Sequence, residues 1–300
     1  MSTTTLESAP CQVESNGSTQ TELWRRYSRS GPGSASENHL VNEYLPLVKT
    51  VVGRLAMTLP AHVCTEDLFS AGLVGLLNAL SQTLLKITSP GVPDFYQGTE
   101  LWDDSLVDPD NRRPVDFSTR RACLAALQQR ETDDMLPLVQ ELLAQWCDGR
   151  IKLYVTYKAL HFRRSHSSLF QDGDYLPIPC IGTKQEHVVA FARCKEQHWT
   201  LVVVPRLLTK LSTRRQPPVG RRVWGKNFLL LPPEAPLSWH NVLTGEALTG
   251  SATPKGQTFS LSTILQYFPV ALLSGTLPQT TDPARLLSAP TERSYVVDSG

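Results

Sequence analysis

The sequence lacks both an excess of charge of either sign and any long apolar run. Lys and Arg together number 29 and Asp and Glu 28 among 300 residues, so the overall charge does not favour nucleic acid or acidic lipid as a partner. No apolar stretch approaches the roughly 20 residues that a membrane helix requires. The N-terminus is polar and Ser/Thr-rich, without the apolar core of a signal peptide. We therefore expect a cytoplasmic protein with no membrane partner.

The patterns of metal sites and hydrolases are also missing. The six cysteines form no C-x-x-C pair, so the sequence predicts neither a zinc site nor a disulfide scaffold. The seven histidines have no ligand spacing, and no G-x-S-x-G motif is present. We therefore predict no metal ligand, no cofactor and no catalytic residue of these kinds.

The periodicity of apolar residues changes along the chain and predicts a multidomain α+β protein. After a polar arm, apolar residues recur at helical spacing as far as Leu80. Helical patterns return over Leu124–Trp146 and Ile151–Arg163. Beyond Tyr175 the pattern is that of strands, with Val188–Ala192 and Trp199–Val204 as a pair. The predicted segments are a disordered arm (1–38), helices (39–80), a mixed region (81–170), a β domain (171–277) and a polar tail (278–300).

One ordered set of motifs lies in the first quarter of the chain. In sequence order it comprises Leu45–Lys49, Val52–Met57, Leu59–Pro60, Glu66–Leu68 and Gly72–Leu76. In this order and spacing the chain from about residue 22 to 80 resembles the start of region 2 of flagellar-type RNA polymerase sigma factors. In that family this part is a helical hairpin whose second helix binds a coiled coil on the polymerase. The resemblance implies such a hairpin over 39–80.

The same resemblance implies a contact with the RNA polymerase core through Glu66, Asp67, Gly72 and Gly75. A structural role for the two acidic residues stays open, because carboxylates at a helix start interact favourably with its positive end. Sigma factors continue into an aromatic and basic helix that opens the promoter, but Ser81–Lys86 has no aromatic side chain and only one basic side chain. We therefore expect no specific DNA recognition.

A second set of motifs begins where the first ends. It comprises Ser81–Lys86, Ser89–Trp102, Leu106–Asp116, Asp148–Lys152, Ala190–Arg193, Val204–Arg206 and Phe268–Leu273. Together these make the chain from about residue 80 to 273 similar to the closing part of malto-oligosyltrehalose synthases, which are members of the α-amylase superfamily. That family isomerises the reducing end of a malto-oligosaccharide to an α,α-1,1 linkage, as an intramolecular transferase without a cofactor. The resemblance implies a place in trehalose biosynthesis.

This resemblance implies the end of a (β/α)₈ barrel with helices, followed by a sandwich-like all-β domain. The family's catalytic carboxylates come from earlier barrel strands, so no catalytic residue is carried over and enzyme activity stays open. Arginines paired with neighbouring aspartates, and core positions for Tyr96 and Trp102, are open alternatives to sugar contact. The implied sugar contacts, at the rim of the cleft, are Tyr96, Gln97, Glu100, Asp108, Asn111, Arg112 and Arg113.

The two resemblances together predict a chimeric chain with its junction within Leu76–Leu80. The first hypothesis is a truncated, inactive relative of malto-oligosyltrehalose synthase with a weak contact to malto-oligosaccharide. The alternative is a sigma-like protein that binds the RNA polymerase core and acts in transcription initiation or its inhibition. We also expect a lone barrel strand over Val92–Tyr96 and poor solubility, because such a strand leaves its backbone groups unpaired.

Overall fold

The computed structural model describes residues 65–103, 112–131, 135–211, 217–254 and 256–277. Contacts divide the chain into two units, Met1–Phe69 and Ser70–Gly300, and nearly all described residues belong to the second. The predicted arm, the first helix of the predicted hairpin and the predicted tail lie outside the described residues. Within the described ranges, no helix is both long and apolar enough to cross a membrane.

Helices make up most of the first half of the described chain. The longest, α1, shows the expected helical spacing, since Leu77, Leu80, Leu84 and Ile87 are almost completely buried. It ends at Thr88, two residues before Pro90, which cannot continue a helix. The predicted junction therefore lies inside one continuous helix. In the described residues the α-helices are α1 (Thr65–Thr88), α2 (Phe117–Glu131), α3 (Met135–Ala144), α4 (Arg150–Ser165), α5 (Ser167–Asp172), α6 (Gly220–Trp224) and α7 (Leu261–Ile264).

The strands form two antiparallel sheets. A six-stranded sheet has the order β1-β3-β4-β10-β6-β7, and a four-stranded sheet has the order β2-β5-β9-β8. The strand bounds are β1 (Asp174–Pro177), β2 (Cys180–Ile181), β3 (Val188–Lys195), β4 (His198–Pro205), β5 (Phe228–Leu231), β6 (Ser238–Asn241), β7 (Ala247–Thr249), β8 (Ser251–Thr253), β9 (Gly256–Ser260) and β10 (Ala271–Thr276).

The predicted strand pair is confirmed as the β3–β4 hairpin. Its register runs from Val188 opposite Pro205 to Lys195 opposite His198. Two residues close the hairpin, and the first of them, Glu196, has a φ of 54°. A two-residue hairpin turn needs such a positive φ because its twist must match that of the strands.

The six-stranded sheet is covered on both faces, which gives three layers. Along β4, Leu201 and Val203 belong to a core shared with Leu229 and Phe259 of the four-stranded sheet. The alternating residues Val202 and Val204 pack in a second core, which includes the buried apolar residues of α3 and α4 and, from α1, Leu80, Leu84 and Ile87. Because successive side chains of a strand point to opposite faces, a continuous apolar run such as β4 must be buried on both. Mixed helix and sheet structure is thus confirmed; the barrel remnant and domain boundaries stay predictions.

The expected barrel strand over Val92–Tyr96 is wrong. These residues form neither strand nor helix. Pro93 has no N–H for a ladder, which limits the pairing that such a short segment could make. The backbone before it is held by a side chain instead, since Arg163 of α4 donates to the carbonyls of Ile87 and Gly91. The expectation of poor solubility stays a prediction.

Candidate functional site

The predicted sugar contacts fall on or near an irregular segment, residues 89–103, which we call the anchored loop. Its first anchor is Arg163, which reaches the loop from α4. The guanidinium donates to the carbonyl oxygen of Ile87 at 2.6 Å and to that of Gly91 at 2.5 Å. The same group lies 5.2 Å from the ring centre of Phe170. A side chain of the helical layer thus fixes the path by which the chain leaves α1.

The second anchor is Arg120, on the first turn of α2. Its Nε donates to a carboxylate oxygen of Glu100 at 2.9 Å, and Nη2 donates to the carbonyl of Gly98 at 2.6 Å. Nη1 donates to the carbonyl of Asp116 at 3.0 Å. Gly98 has a φ of 90°, and a Cβ there would lie 3.1 Å from Val115. This guanidinium therefore holds the turn at residues 96–100 beside the start of α2.

The third anchor joins the end of the loop to the start of α4. Trp102 donates from Nε1 to the carbonyl of Trp146 at 2.7 Å, and Lys152 donates to the carbonyl of Leu101 at 3.2 Å. Burial, followed by the charge of Lys86, lowers the pKa of Lys152. Gly149 has a φ of 80°, and a Cβ there would lie 2.9 Å from the backbone nitrogen of Trp102. Only glycine allows this close contact.

Asp116 fixes the start of α2, directly beside the anchored loop. Its carboxylate accepts hydrogen bonds from the backbone N–H of Thr119 at 3.0 Å and from the Thr119 hydroxyl at 2.6 Å. Ser118 donates its hydroxyl to the same carboxylate. The bond from Ser118, then those from Thr119, lower the pKa of Asp116 well below the ordinary range. This is the geometry of a helix N-cap, in which a side chain satisfies a free N–H of the first turn.

The structure brings three of the predicted sugar contacts onto one turn. Tyr96 is 53% exposed, so a core position is wrong for it, whereas Trp102 packs against the helical core as that alternative expected. Gln97 is exposed, and Glu100 is half-buried in its pair with Arg120. Of the other four predicted residues, Arg112 and Arg113 are exposed just before α2, and Asp108 and Asn111 lie outside the described residues.

Sequence reasoning missed Arg120, which holds the turn together. Its partners lie 20 and 22 positions before it, and no local pattern links them. The one available signal was Asp116, four residues before Arg120, which marks a possible helix start with an arginine one turn later. Long-range pairing of this kind follows from the tertiary fold.

The residues of the predicted polymerase contact lie on α1. The side chains of Glu66 and Asp67 are outside the described part, but Gly72 and Gly75 are exposed. A Cβ added at either glycine would meet nothing within 4 Å. Because residues three apart lie on one helix face, the two glycines form an open strip on α1.

The chemistry of the site favours binding over proton transfer. The carboxylate within the turn, Glu100, is paired with a guanidinium, and Asp116 is engaged as a helix cap. Among the residues described, no group of three or more His, Cys, Asp or Glu could hold a metal ion. What the turn presents outward is an aromatic ring and an amide.

The described part of this chain combines helices with two antiparallel sheets. It is similar to the solved structure of the maltooligosyltrehalose synthase from Arthrobacter ramosus, with a TM-score of 0.53 and 29% identity, over 74% of this chain and 26% of that one. A mutant of the same enzyme matches with 30% identity, a TM-score of 0.53, and 80% and 26% coverage.

Two curated relatives are similar to this chain at a higher sequence identity. Proteins of two Mycobacterium tuberculosis strains, described as maltooligosyl trehalose synthases, are each 40% identical over 216 residues, which is 70% of this chain and 23% of theirs. This part of the chain is therefore homologous to maltooligosyl trehalose synthases, as the motifs predicted, and it spans about a quarter of their length. No protein-family model matches the chain.

A shorter segment is similar to sigma factors. The RNA polymerase sigma factor FliA of Pseudomonas aeruginosa is 44% identical over 55 residues, covering 18% of this chain and 22% of that protein. The RNA polymerase sigma-D factor of Bacillus subtilis is 38% identical over 60 residues, covering 20% and 23%. Both resemblances seen in the motifs are thus present in one chain.

Proposed function

We propose that this chain binds malto-oligosaccharide through the turn at residues 96–100 and does not convert it. The observation that supports the proposal most directly is the exposed ring of Tyr96 on a firmly held loop, in a segment homologous to maltooligosyl trehalose synthases. An aromatic face packs well against the C–H groups of a sugar ring, and nearby amides and hydroxyls complete its hydrogen bonding.

Pre-organisation strengthens this proposal. Binding a flexible sugar costs less when the protein side is already ordered, because no loop has to be fixed on association. The anchored loop is held by Arg163, Arg120 and Lys152 through bonds to its own carbonyls or those next to it. Gln97, Arg112 and Arg113 add polar groups close in sequence to the turn or to α2, and Asp108 and Asn111 complete the proposed set.

The proposed lack of conversion rests on the resemblance, which carries over no catalytic carboxylate to this chain. Retaining glycosidases need one carboxylate as nucleophile and a second as acid/base. The resemblance assigns the family's carboxylates to barrel strands outside the matched segment. Glu100, the acidic residue of the turn, is already neutralised by Arg120. The trehalose-forming activity of the family is therefore not proposed for this chain by itself.

The test is calorimetric titration of the full chain with maltoheptaose. We expect Tyr96→Ala to weaken binding by about 3- to 10-fold, which is the contribution of one aromatic contact. Tyr175→Ala is the matched control. Tyr175 lies in β1 and is similarly exposed at 45%, but its ring stacks on Phe191 of β3. Equal affinity of the two variants, or no heat of binding to the unchanged chain, would contradict the proposal. Formation of a trehalose-ended product would contradict the proposal that the chain does not convert its ligand.

A second candidate function is binding to the RNA polymerase core, supported by the sigma-factor similarity. The open strip at Gly72 and Gly75 would then approach the polymerase closely. Gly75→Arg adds a large side chain where a Cβ would meet nothing within 4 Å. Arginine also has a higher helix propensity than glycine. We expect Gly75→Arg to abolish co-purification with core polymerase, whereas Gln82→Arg, exposed further along α1, should not. Equal co-purification of the two variants would count against this contact.

A further inference from the structure

A second exposed aromatic ring lies next to the proposed sugar-binding turn. Phe117, the first residue of α2, is 47% exposed. Its neighbours explain the helix start without it, because Asp116 supplies the cap and Ser118 and Thr119 donate to that cap. Neither helix initiation nor the core therefore accounts for an aromatic residue at this position.

Arg120 links the backbone beside this ring to the backbone near Tyr96. Its guanidinium donates at once to the carbonyl of Gly98, two residues after Tyr96, and to the carbonyl of Asp116, directly before Phe117. Because one planar fork bonds both oxygens, they lie within about 8 Å of each other. Two exposed rings thus stand on backbone segments that one side chain holds side by side.

Further contacts prevent the two segments from moving apart. A Cβ at Gly98 would lie 3.1 Å from a methyl group of Val115, so the turn packs closely on the residues before α2. The ion pair of Arg120 with Glu100 adds a second link. The two backbone segments that carry Tyr96 and Phe117 are therefore held together by the fold.

We propose that Tyr96 and Phe117 form a two-ring platform that recognises a malto-oligosaccharide of at least two linked glucose units. This inference rests on the proposed function and adds to it the residue Phe117 and a minimum ligand length. One aromatic face accommodates one pyranose ring, so a single glucose unit engages one platform at a time. Two rings at a fixed spacing favour a linked pair, since the second contact is then intramolecular.

The test compares maltose and maltoheptaose with glucose as ligands of the full chain, by NMR titration. In the unchanged protein we expect both oligosaccharides to bind at least 5-fold more tightly than glucose. Phe117→Ala should remove most of that advantage, whereas Phe117→Trp should retain it. The Trp variant also separates loss of the ring from a change in the start of α2.

The outcomes separate this inference from the proposed function. If Tyr96→Ala weakens maltoheptaose binding and Phe117→Ala does not, the platform is overturned while sugar binding at the turn stands. If the unchanged chain binds no oligosaccharide, both are overturned. A reduced length preference in Phe117→Ala, restored in Phe117→Trp, supports the platform. Loss of binding in both Phe117 variants, with the exchange protection of α2 unchanged, overturns an aromatic role for this position.

Discussion

Replacing Arg120 by alanine should loosen the turn that carries the candidate site. The substitution removes three hydrogen bonds at once, to Glu100, Gly98 and Asp116. Alanine is at least as good a helix former as arginine, so α2 itself loses nothing in propensity. The effect of Arg120→Ala therefore reports on the link between the anchored loop and α2.

The magnitude follows from the exposure of the partners. A hydrogen bond from a charged group contributes about 1.5–3 kcal/mol when buried, and less where water can replace it. The side chains of Arg120 and Glu100 are 19% and 29% exposed, so we discount the pair, but Gly98 is buried and its carbonyl loses its donor. We expect the free energy of unfolding, global or local to the loop, to fall by about 2 kcal/mol. That corresponds to a Tm lower by about 4–8 °C for a domain of this size.

Hydrogen exchange distinguishes a local from a global loss. If the loop opens locally, amides of residues 98–102 should exchange about 30-fold faster while Tm changes little. The control is Arg121→Ala. Arg121 is exposed on the same helix, and its side chain makes no hydrogen bond or ion pair among the described residues. Equal exchange and equal Tm in the two variants would refute the anchoring role of Arg120.

Three further predictions concern the layers around the loop. Tyr154→Phe, which leaves the carbonyl of Leu243 without its 2.7 Å donor, should lower the urea-unfolding free energy by about 2 kcal/mol, against less than about 0.5 kcal/mol for exposed Tyr175→Phe. Burial, then the charge of Asp148, raises the pKa of Cys147 to about 11, so mass spectrometry should find it largely unalkylated at pH 8 and increasingly alkylated towards pH 11. Asp116 has a lowered pKa, so its stabilisation is present above its unfolded pKa of about 4 and is lost as the pH falls below it; Asp116→Asn should reduce that acid dependence in exchange at the start of α2.

Local periodicity was enough to predict the elements but not their ends. The spacing of Leu77, Leu80 and Leu84 predicted α1, and the runs beside Glu196–Gln197 predicted the β3–β4 hairpin. These patterns reflect burial of one helix face or both strand faces, which neighbouring residues record directly. The helix predicted over Leu124–Trp146 is instead found as α2 and α3, because its apolar residues belong to two separate helices.

The site was only partly predictable, because its geometry depends on distant partners. The resemblance implied Tyr96 and Gln97 as contacts at the rim of a sugar cleft; both are exposed, and their role in binding stays a prediction. It also implied Glu100, whose carboxylate proves to be held by Arg120. The partners of Arg163 lie more than 70 positions away, and nothing in either local sequence distinguishes them. A strand over Val92–Tyr96 was expected because the resemblance implied the end of a barrel. The sequence pattern alone could not reveal these side-chain bonds.

The same long-range bonds hold the anchored loop in a chain that spans about a quarter of the length of its relatives. A barrel strand depends on its neighbours for backbone hydrogen bonds. Here Arg163, Arg120 and Lys152 supply donors to the loop from α2 and α4, within the homologous segment itself. The shape of the anchored loop is therefore determined by the helices that pack on the six-stranded sheet. It follows that affinity for malto-oligosaccharide at this turn should depend on the integrity of those helices.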